Sequence, residues 1–157
     1  MNEYSREIEE VLNEMISLLL IPHFEQLGMN ATGEWEQNIQ ARGNEIWGRD
    51  YTKYLVEGRP PNTDTSPDAV RRWAYGMANF NPEFKKWLQA RGLTEYGVQI
   101  AYKIGMEGTN YYPQGTDLME FLETPEVKNF ITDKLKDVIA PKIAMQLTQE
   151  INLIFRR

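Results

Sequence analysis

The sequence from residue 124 to residue 155 reads TPEVKNFITDKLKDVIAPKIAMQLTQEINLIF. It opens with a threonine, a proline and a glutamate, an order typical of a helix start. Apolar residues then recur at every fourth position: Val127, Ile131, Leu135, Ile139, Ile143, Leu147, Ile151 and Phe155. Because an α-helix has about 3.6 residues per turn, this spacing drifts by about 40° per step around a straight helix. We therefore expect the C-terminal helical region 124–157 to be kinked near Pro141, so that each half keeps its own apolar face.

The N-terminal segment also has helical periodicity. Apolar residues recur at spacings of three and four, and glutamates crowd the first turns, where the helix dipole favours anions. This pattern predicts an amphipathic helix over about residues 2–21. We expect Pro22 to end it, because proline lacks the backbone N–H that a continuing helix needs.

A short segment with strand character follows. Its β-favouring residues are Trp35, Ile39, Ile46 and Trp47, and Arg42-Gly43-Asn44 between them has the composition of a turn. We therefore expect two short strands joined by that turn. Asp50 is then a candidate cap for a short helix that ends at Gly58.

Three further helices are predicted in the middle of the chain. Ser66-Pro67-Asp68 provides a cap, a proline and an acid for the first, and Pro82 opens the second. The third runs from Thr94 to about Glu107 and carries Gly97, Ala101 and Gly105 in line. Each glycine costs a helix about 1 kcal/mol relative to alanine. Because the glycines are costly in a helix, we expect them to serve packing, by allowing the close approach of another backbone.

Together these elements predict an α+β fold. We expect several helices around a small antiparallel sheet or hairpin, with long N- and C-terminal helices. The length of 157 residues suits one structural domain that spans residues 1–157.

The composition argues against several functions. Cysteine is absent, which excludes thiol nucleophiles and thiolate metal sites, and His23 is the single histidine. We expect His23 to have a structural or surface role. The net charge of −6 argues against independent binding of nucleic acid, and no run is apolar enough to span a membrane. No pair of carboxylates and no phosphate-binding glycine motif stands out. We therefore predict no catalytic residue, no cofactor and no metal.

Contact surfaces are easier to nominate. Tyr111 and Tyr112 lie in a predicted loop between Gly108 and Gly115, and tyrosine is favoured at protein interfaces. The end of the C-terminal helix is strongly apolar and either docks within the chain or presents a seam to another subunit. The full set of interface candidates is Tyr111, Tyr112, Arg59, Leu147, Ile151, Ile154 and Phe155.

Four short motifs occur in order between about residues 33 and 113, which is roughly half the chain. They are YTKYLVEGRPP at residues 51–61, WLQARGL at 87–93, AYKIGMEGT at 101–109 and YYP at 111–113. This succession resembles the neck, head–tail joining and tail-completion proteins of tailed bacteriophages. The chain departs from that pattern in a longer segment around residues 62–80 and in the C-terminal helical region.

The resemblance implies a virion structural protein, made in the bacterial host cytoplasm, that assembles with itself into a ring. Its other partners would be portal, adaptor or tail proteins, with DNA passing through the channel without specific binding. A ring needs two different complementary patches on each subunit, for which the Tyr111 loop and the terminal helix are candidates. Two alternatives stay open. One is a phage-encoded adaptor that binds a host protein through its aromatic loop, and the other is a small carboxylate-dependent hydrolase.

Overall fold

The structure is a computed structural model that describes residues 4–29 and 31–155, and for residues 151–155 it describes the backbone alone. The helices are α1 (Ser5–Met15), α2 (Ile21–Gln26), α3 (Glu34–Asn38), α4 (Thr52–Glu57), α5 (Pro67–Phe80), α6 (Pro82–Ala90), α7 (Gly97–Glu107), α8 (Leu118–Leu122) and α9 (Pro125–Phe155). The strands are β1 (Gln40–Arg42) and β2 (Glu45–Trp47), which pair antiparallel with Ala41 opposite Ile46. The predicted combination of helices, a small antiparallel hairpin and a long C-terminal helix is confirmed.

The N-terminal helix does not end at Pro22, which corrects the sequence prediction. A π-helical turn at Ile16–Leu20 joins α1 directly to α2, and the N–H of Ile21 donates to the carbonyl of Ile16. In a regular α-helix the proline ring would meet the carbonyl four residues earlier. A π turn is wider than an α turn, and here it ends two residues before the proline. The result is one run of helix from Ser5 to Gln26, about 33 Å long at about 1.5 Å per residue.

The predicted hairpin exists, but Trp35 is not in a strand. Gly43 makes the turn with a φ of 61°, whereas Trp35 belongs to α3. The Trp35 ring is buried and stacks on Phe24 at 4.1 Å, and its Nε1 donates to Thr52 at 3.1 Å. These tertiary contacts override the strand preference of tryptophan.

A main core forms around the N-terminal helix. It contains Met15, Ile16, Leu20, Phe24, Trp35, Ala41, Leu118 and Val127. His23 joins this region to α8, because its ring stacks on Phe121 at 4.0 Å and its Nε2 lies 2.9 Å from Asp117 Oδ1. The hairpin is fastened to α1 by a hydrogen bond of 2.8 Å from the Ala41 N–H to Asn13.

A second buried cluster lies in the helices α5, α6 and α7. Val70, Ala74, Leu88 and Ala101 are its fully buried members. The small-residue line of α7 packs here as predicted: a Cβ on Gly97 would lie 2.8 Å from Leu88, and one on Gly105 would lie 2.7 Å from Val70. The absence of side chains on those glycines lets α7 approach α5 and α6.

The long helix α9 packs antiparallel against α1. Lys134 reaches Glu14 at 2.6 Å, Lys142 pairs with Glu7, and the Tyr4 hydroxyl bonds to Gln146 at 3.0 Å. Helix α9 begins at Pro125, as the sequence predicts, and continues through Pro141. The kink near Pro141 stays a prediction, as does the single-domain assignment. Among the described residues, no helix has the length and apolar character needed to cross a membrane.

Candidate binding groove

A wide groove of about 950 Å³, here called the aromatic groove, lies between the main core and the α5–α7 helices. Gly28 and Met29, which follow α2, and helix α4 contribute to the lining, together with α6 and α7. The aromatic members of the lining are Tyr51, Tyr54, Phe84, Trp87, Tyr96 and Tyr111. Its volume is at the upper end of the range for small-molecule sites. Open grooves between helices are also where proteins receive an amphipathic helix.

Two chain segments hold one end of the groove. The backbone N–H of Arg59 donates to the Thr109 hydroxyl at 2.9 Å, and the Thr109 N–H donates to the Arg59 carbonyl at 2.9 Å. Gly108 has a φ of 85°, and a Cβ there would lie 2.5 Å from the Arg59 carbonyl oxygen. Only glycine permits both that conformation and that approach. The glycine-arginine-proline motif and the glycine-threonine motif therefore meet at this site.

The cations of the groove are held in different ways. The Arg59 guanidinium donates to Asn62 at 2.9 Å and lies 4.7 Å from the centre of the Trp73 ring. The Arg91 guanidinium donates to the Gly28 carbonyl at 2.6 Å. Lys103 on α7 is exposed and forms no ion pair with any carboxylate in the described part of the chain.

The charge of the aromatic groove is opposite to that of the whole protein. Its lining contains Arg59, Arg91 and Lys103 but, within the ranges the structure describes, no aspartate or glutamate. The chain as a whole has 23 acidic and 17 basic residues. A low-dielectric groove with charge of one sign attracts a partner of the opposite sign. The groove is thus suited to an apolar segment that carries negative charge.

A smaller pocket of about 400 Å³ adjoins the groove and shares Met29, Tyr51, Leu55 and Trp87 with it. The charged residues that line this pocket are Glu34, Glu36, Glu83 and Arg49. A hydrogen bond with the Glu83 carboxyl, followed by one with Lys86, lowers the pKa of Glu34. In the described chain, no group of three acidic or histidine side chains is arranged to hold a metal ion.

The interface candidates from the sequence fall into two places. Arg59 and Tyr111 both line the aromatic groove, and the Tyr111 hydroxyl donates to the Leu27 carbonyl at 3.0 Å. Tyr112 lies outside the lining and is 39% exposed. Leu147 is on the far part of α9 and is 53% exposed. The side chains of Ile151, Ile154 and Phe155 lie outside the described residues.

Sequence reasoning missed most of the groove. Gln99, Ile100 and Lys103 lie on the face of α7 opposite its small residues, and Tyr96 directly precedes the helix. Their spacing in the sequence indicated a common face. What faces them depends on the packing of α4 and α6, which no local pattern shows.

Burial raises the pKa of Tyr51, which lies where the groove and the smaller pocket meet.

Comparison with known proteins adds no relative: no protein-family model, no curated protein and no solved structure matches the chain.

Proposed function

We propose that this chain is a virion structural protein of the neck or tail-completion machinery of a tailed bacteriophage, and that it assembles with itself into a ring. The order of the four motifs between residues 51 and 113 supports the assignment to phage structural proteins. Portal, adaptor or tail proteins would be its neighbours in the particle.

The observation that carries the self-assembly part of the proposal is the far end of α9. Every residue from 140 to 150, here called the distal α9 segment, is exposed. It nevertheless includes Ile143, Met145 and Leu147, which are 42%, 58% and 53% exposed. Ile143 and Leu147 lie one turn apart on the same face of the helix, whereas Met145 lies on the other side. Exposed apolar side chains in line on one face favour a site of association.

The position of the distal α9 segment suits a head-to-tail contact. Gln146 lies beside Tyr4, at the start of the N-terminal helix, whereas Gly28 lines the aromatic groove just after its other end. About 33 Å of helix therefore separates the two surfaces. Contacts between unlike, distant patches build rings when the rotation closes.

The acidic character of the chain is compatible with a DNA channel. With a net charge of −6, the protein has little attraction for phosphates, whose binding depends on lysine and arginine. DNA would pass through such a ring without specific binding.

The test is the native mass of the purified protein by light scattering, with imaging of any large species. We expect closed rings for the unmodified chain and a shift to monomers for Leu147→Lys, because the lysine would place a positive charge in an apolar contact and beside the cations of the aromatic groove. Phe80→Lys is the matched control, since Phe80 is 75% exposed and lies outside the aromatic groove and the distal α9 segment. Removing residues 142–157 should also prevent ring formation, but it deletes the contacts of Lys142 and Gln146 with α1 as well. Rings of unchanged size for Leu147→Lys would refute the assigned surface.

The aromatic groove favours a second candidate, an adaptor that binds a host protein. That function predicts a monomer that forms a complex of fixed stoichiometry with one host protein and no ring. The same mass measurement, repeated after incubation with host extract, separates the two functions.

A further inference from the structure

We infer that the aromatic groove receives an amphipathic helix with an excess of acidic residues, supplied by a protein other than this chain. The inference rests on the second candidate function, the adaptor, and names the chemistry of its partner.

Apolar surface in the groove is partly open to water. Tyr54 and Tyr96 line the groove and are 49% and 50% exposed. Aliphatic residues of the same lining include Leu55, Leu93, Ile100 and Ile104. Exposed apolar surface in a groove of about 950 Å³ is typical of a site that another molecule covers.

The elements around the groove favour a helix over an added strand. Helices α4, α6 and α7 contribute to the lining, whereas no residue of β1 or β2 does so in the described part of the chain. An extended peptide that adds a strand needs an exposed sheet edge. A docked helix satisfies its own backbone hydrogen bonds and needs only an apolar face, with anchors three, four and seven residues apart.

The charge of the lining selects acidic residues on that helix. Lys103 is exposed and pairs with no carboxylate of the described chain, although Glu107 lies one turn further along α7. The Arg59 guanidinium donates to neutral oxygens, those of Pro60 and Asn62. Within the described ranges, no aspartate or glutamate lines the groove. Acidic side chains on a docked helix would therefore meet cations that have no ion pair within the described chain.

The helices of this chain are less suited to the groove than such a partner. On the acid-rich helix α1, Glu7 pairs with Lys142. Glu14 on the same helix pairs with Lys134. The distal α9 segment contains one lysine, Lys142, and one glutamate, Glu150, and so has no excess of acid. An acidic amphipathic helix is therefore expected from a different protein.

The test uses two labelled synthetic helices of about 18 residues as probes. They share the same leucine anchors and have either glutamate or lysine at every flanking position. Binding to the full chain is measured by fluorescence anisotropy. The glutamate helix should bind about tenfold more tightly than the lysine helix.

Charge reversal at one lining residue provides the decisive variant. Lys103→Glu should weaken the binding of the glutamate helix by about tenfold and strengthen that of the lysine helix. Loss of the fold would not reverse the preference. Lys85→Glu is the matched control, because Lys85 is exposed on α6, forms no ion pair in the described chain and does not line the groove. It changes the net charge equally and should leave both affinities unchanged.

A neutral variant tests the apolar contact. Tyr54→Ala should weaken both probes by a similar factor, because burial of the tyrosine ring does not depend on the sign of the probe. Binding of the glutamate helix that neither Tyr54→Ala nor Lys103→Glu weakens would place the site elsewhere and overturn the inference.

Other occupants have their own signatures, and each would overturn the inference. Tighter binding of a proline-rich peptide with the same glutamates would assign an extended segment. Binding of octanoate that requires Lys103, with no binding of either helix, would assign a small organic anion. Displacement of the glutamate helix as the concentration of the unmodified chain rises would assign a second copy.

The adaptor function has a separate readout, the complex with a host protein. A complex that Lys103→Glu leaves unchanged would keep the adaptor function and overturn the groove as its site. Selective binding of the glutamate helix without any host complex would refute the adaptor function and leave the preference of the groove standing.

Discussion

The Tyr111 hydroxyl donates a hydrogen bond of 3.0 Å to the carbonyl oxygen of Leu27, and thereby ties the loop after α7 to the end of the N-terminal helix. The bond is partly buried and closes one end of the aromatic groove. A residue nominated from the sequence as a partner contact thus also has an internal role. The backbone supports the same junction, because Gly58 packs against the amide of Tyr112.

Tyr111→Phe should lower the free energy of unfolding by roughly 1 kcal/mol, the usual contribution of one hydrogen bond. The measurement is urea denaturation followed by tryptophan fluorescence. Tyr112→Phe is the matched control, because no described residue bonds to the Tyr112 hydroxyl, and its stability should not change. Equal losses for the two variants would show that the Leu27 bond is not the cause.

Two glycines in the α5–α7 region should respond to alanine in opposite directions. A Cβ at Gly105 would lie 2.7 Å from Val70 and 3.0 Å from the Trp73 ring, so Gly105→Ala should destabilise the protein by about 1–3 kcal/mol. No atom lies within 4 Å of a Cβ built at Gly76 in α5. Gly76→Ala should therefore stabilise the helix, by up to about 1 kcal/mol. Thermal unfolding of both variants tests the pair, and a loss of stability at Gly76 would contradict it.

Local sequence signals predicted much of the fold. Proline marks the first residue of α5, α6 and α9, and Gly43 makes the hairpin turn. These features depend on only a few neighbouring residues, because proline fixes its own φ and glycine permits a positive one. The small-residue line of α7 was also informative, because a run of glycines in a helix has a cost that packing must offset.

The features that the sequence did not predict depend on tertiary contacts. Proline alone indicated a helix end at Pro22, but the π turn before it allows the helix to continue. Trp35 has the composition of a strand residue, yet Phe24 and Thr52 hold it in a short helix. Arg59 and Tyr111 were nominated separately, and only the folded chain places them in one groove. Helix α8 was not predicted, because five residues are too few for a periodic pattern.

Two similar helix starts should differ in the importance of their caps. The Asn81 side chain accepts a hydrogen bond of 2.8 Å from the Phe84 N–H at the start of α6, so Asn81→Ala should cost about 1 kcal/mol. Ser66 precedes α5 in the same way, but its side chain makes no capping bond, contrary to the sequence prediction. Ser66→Ala should therefore change stability by less than about 0.5 kcal/mol. The denaturant midpoints of the two variants test this prediction. A larger loss of stability for Ser66→Ala than for Asn81→Ala would contradict it.

The contact of the distal α9 segment with α1 should weaken in acid. The hydrogen bond from Lys142 is the main cause that lowers the pKa of Glu7 below its ordinary value of 4.5. A lowered pKa in the folded state means that the contribution is complete above the ordinary value and is lost as the pH falls through the folded value. As the pH falls from the ordinary pKa of 4.5 through the lower pKa of the folded state, the amides of residues 140–150 should lose protection from hydrogen exchange. The measured rates are corrected for the pH dependence of intrinsic exchange.

The first turns of α9 provide an internal control, because Val127 is buried in the main core and those amides should keep their protection. Lys142→Met is the matched variant. It should show reduced protection of residues 140–150 already at neutral pH, with little further change in acid, since the ion pair is absent throughout. If the variant loses protection in acid as steeply as the unmodified chain does, a group other than Glu7 controls the contact. Because the Lys142 side chain is 48% exposed, high salt should reduce the effect in the unmodified chain and leave Lys142→Met unchanged.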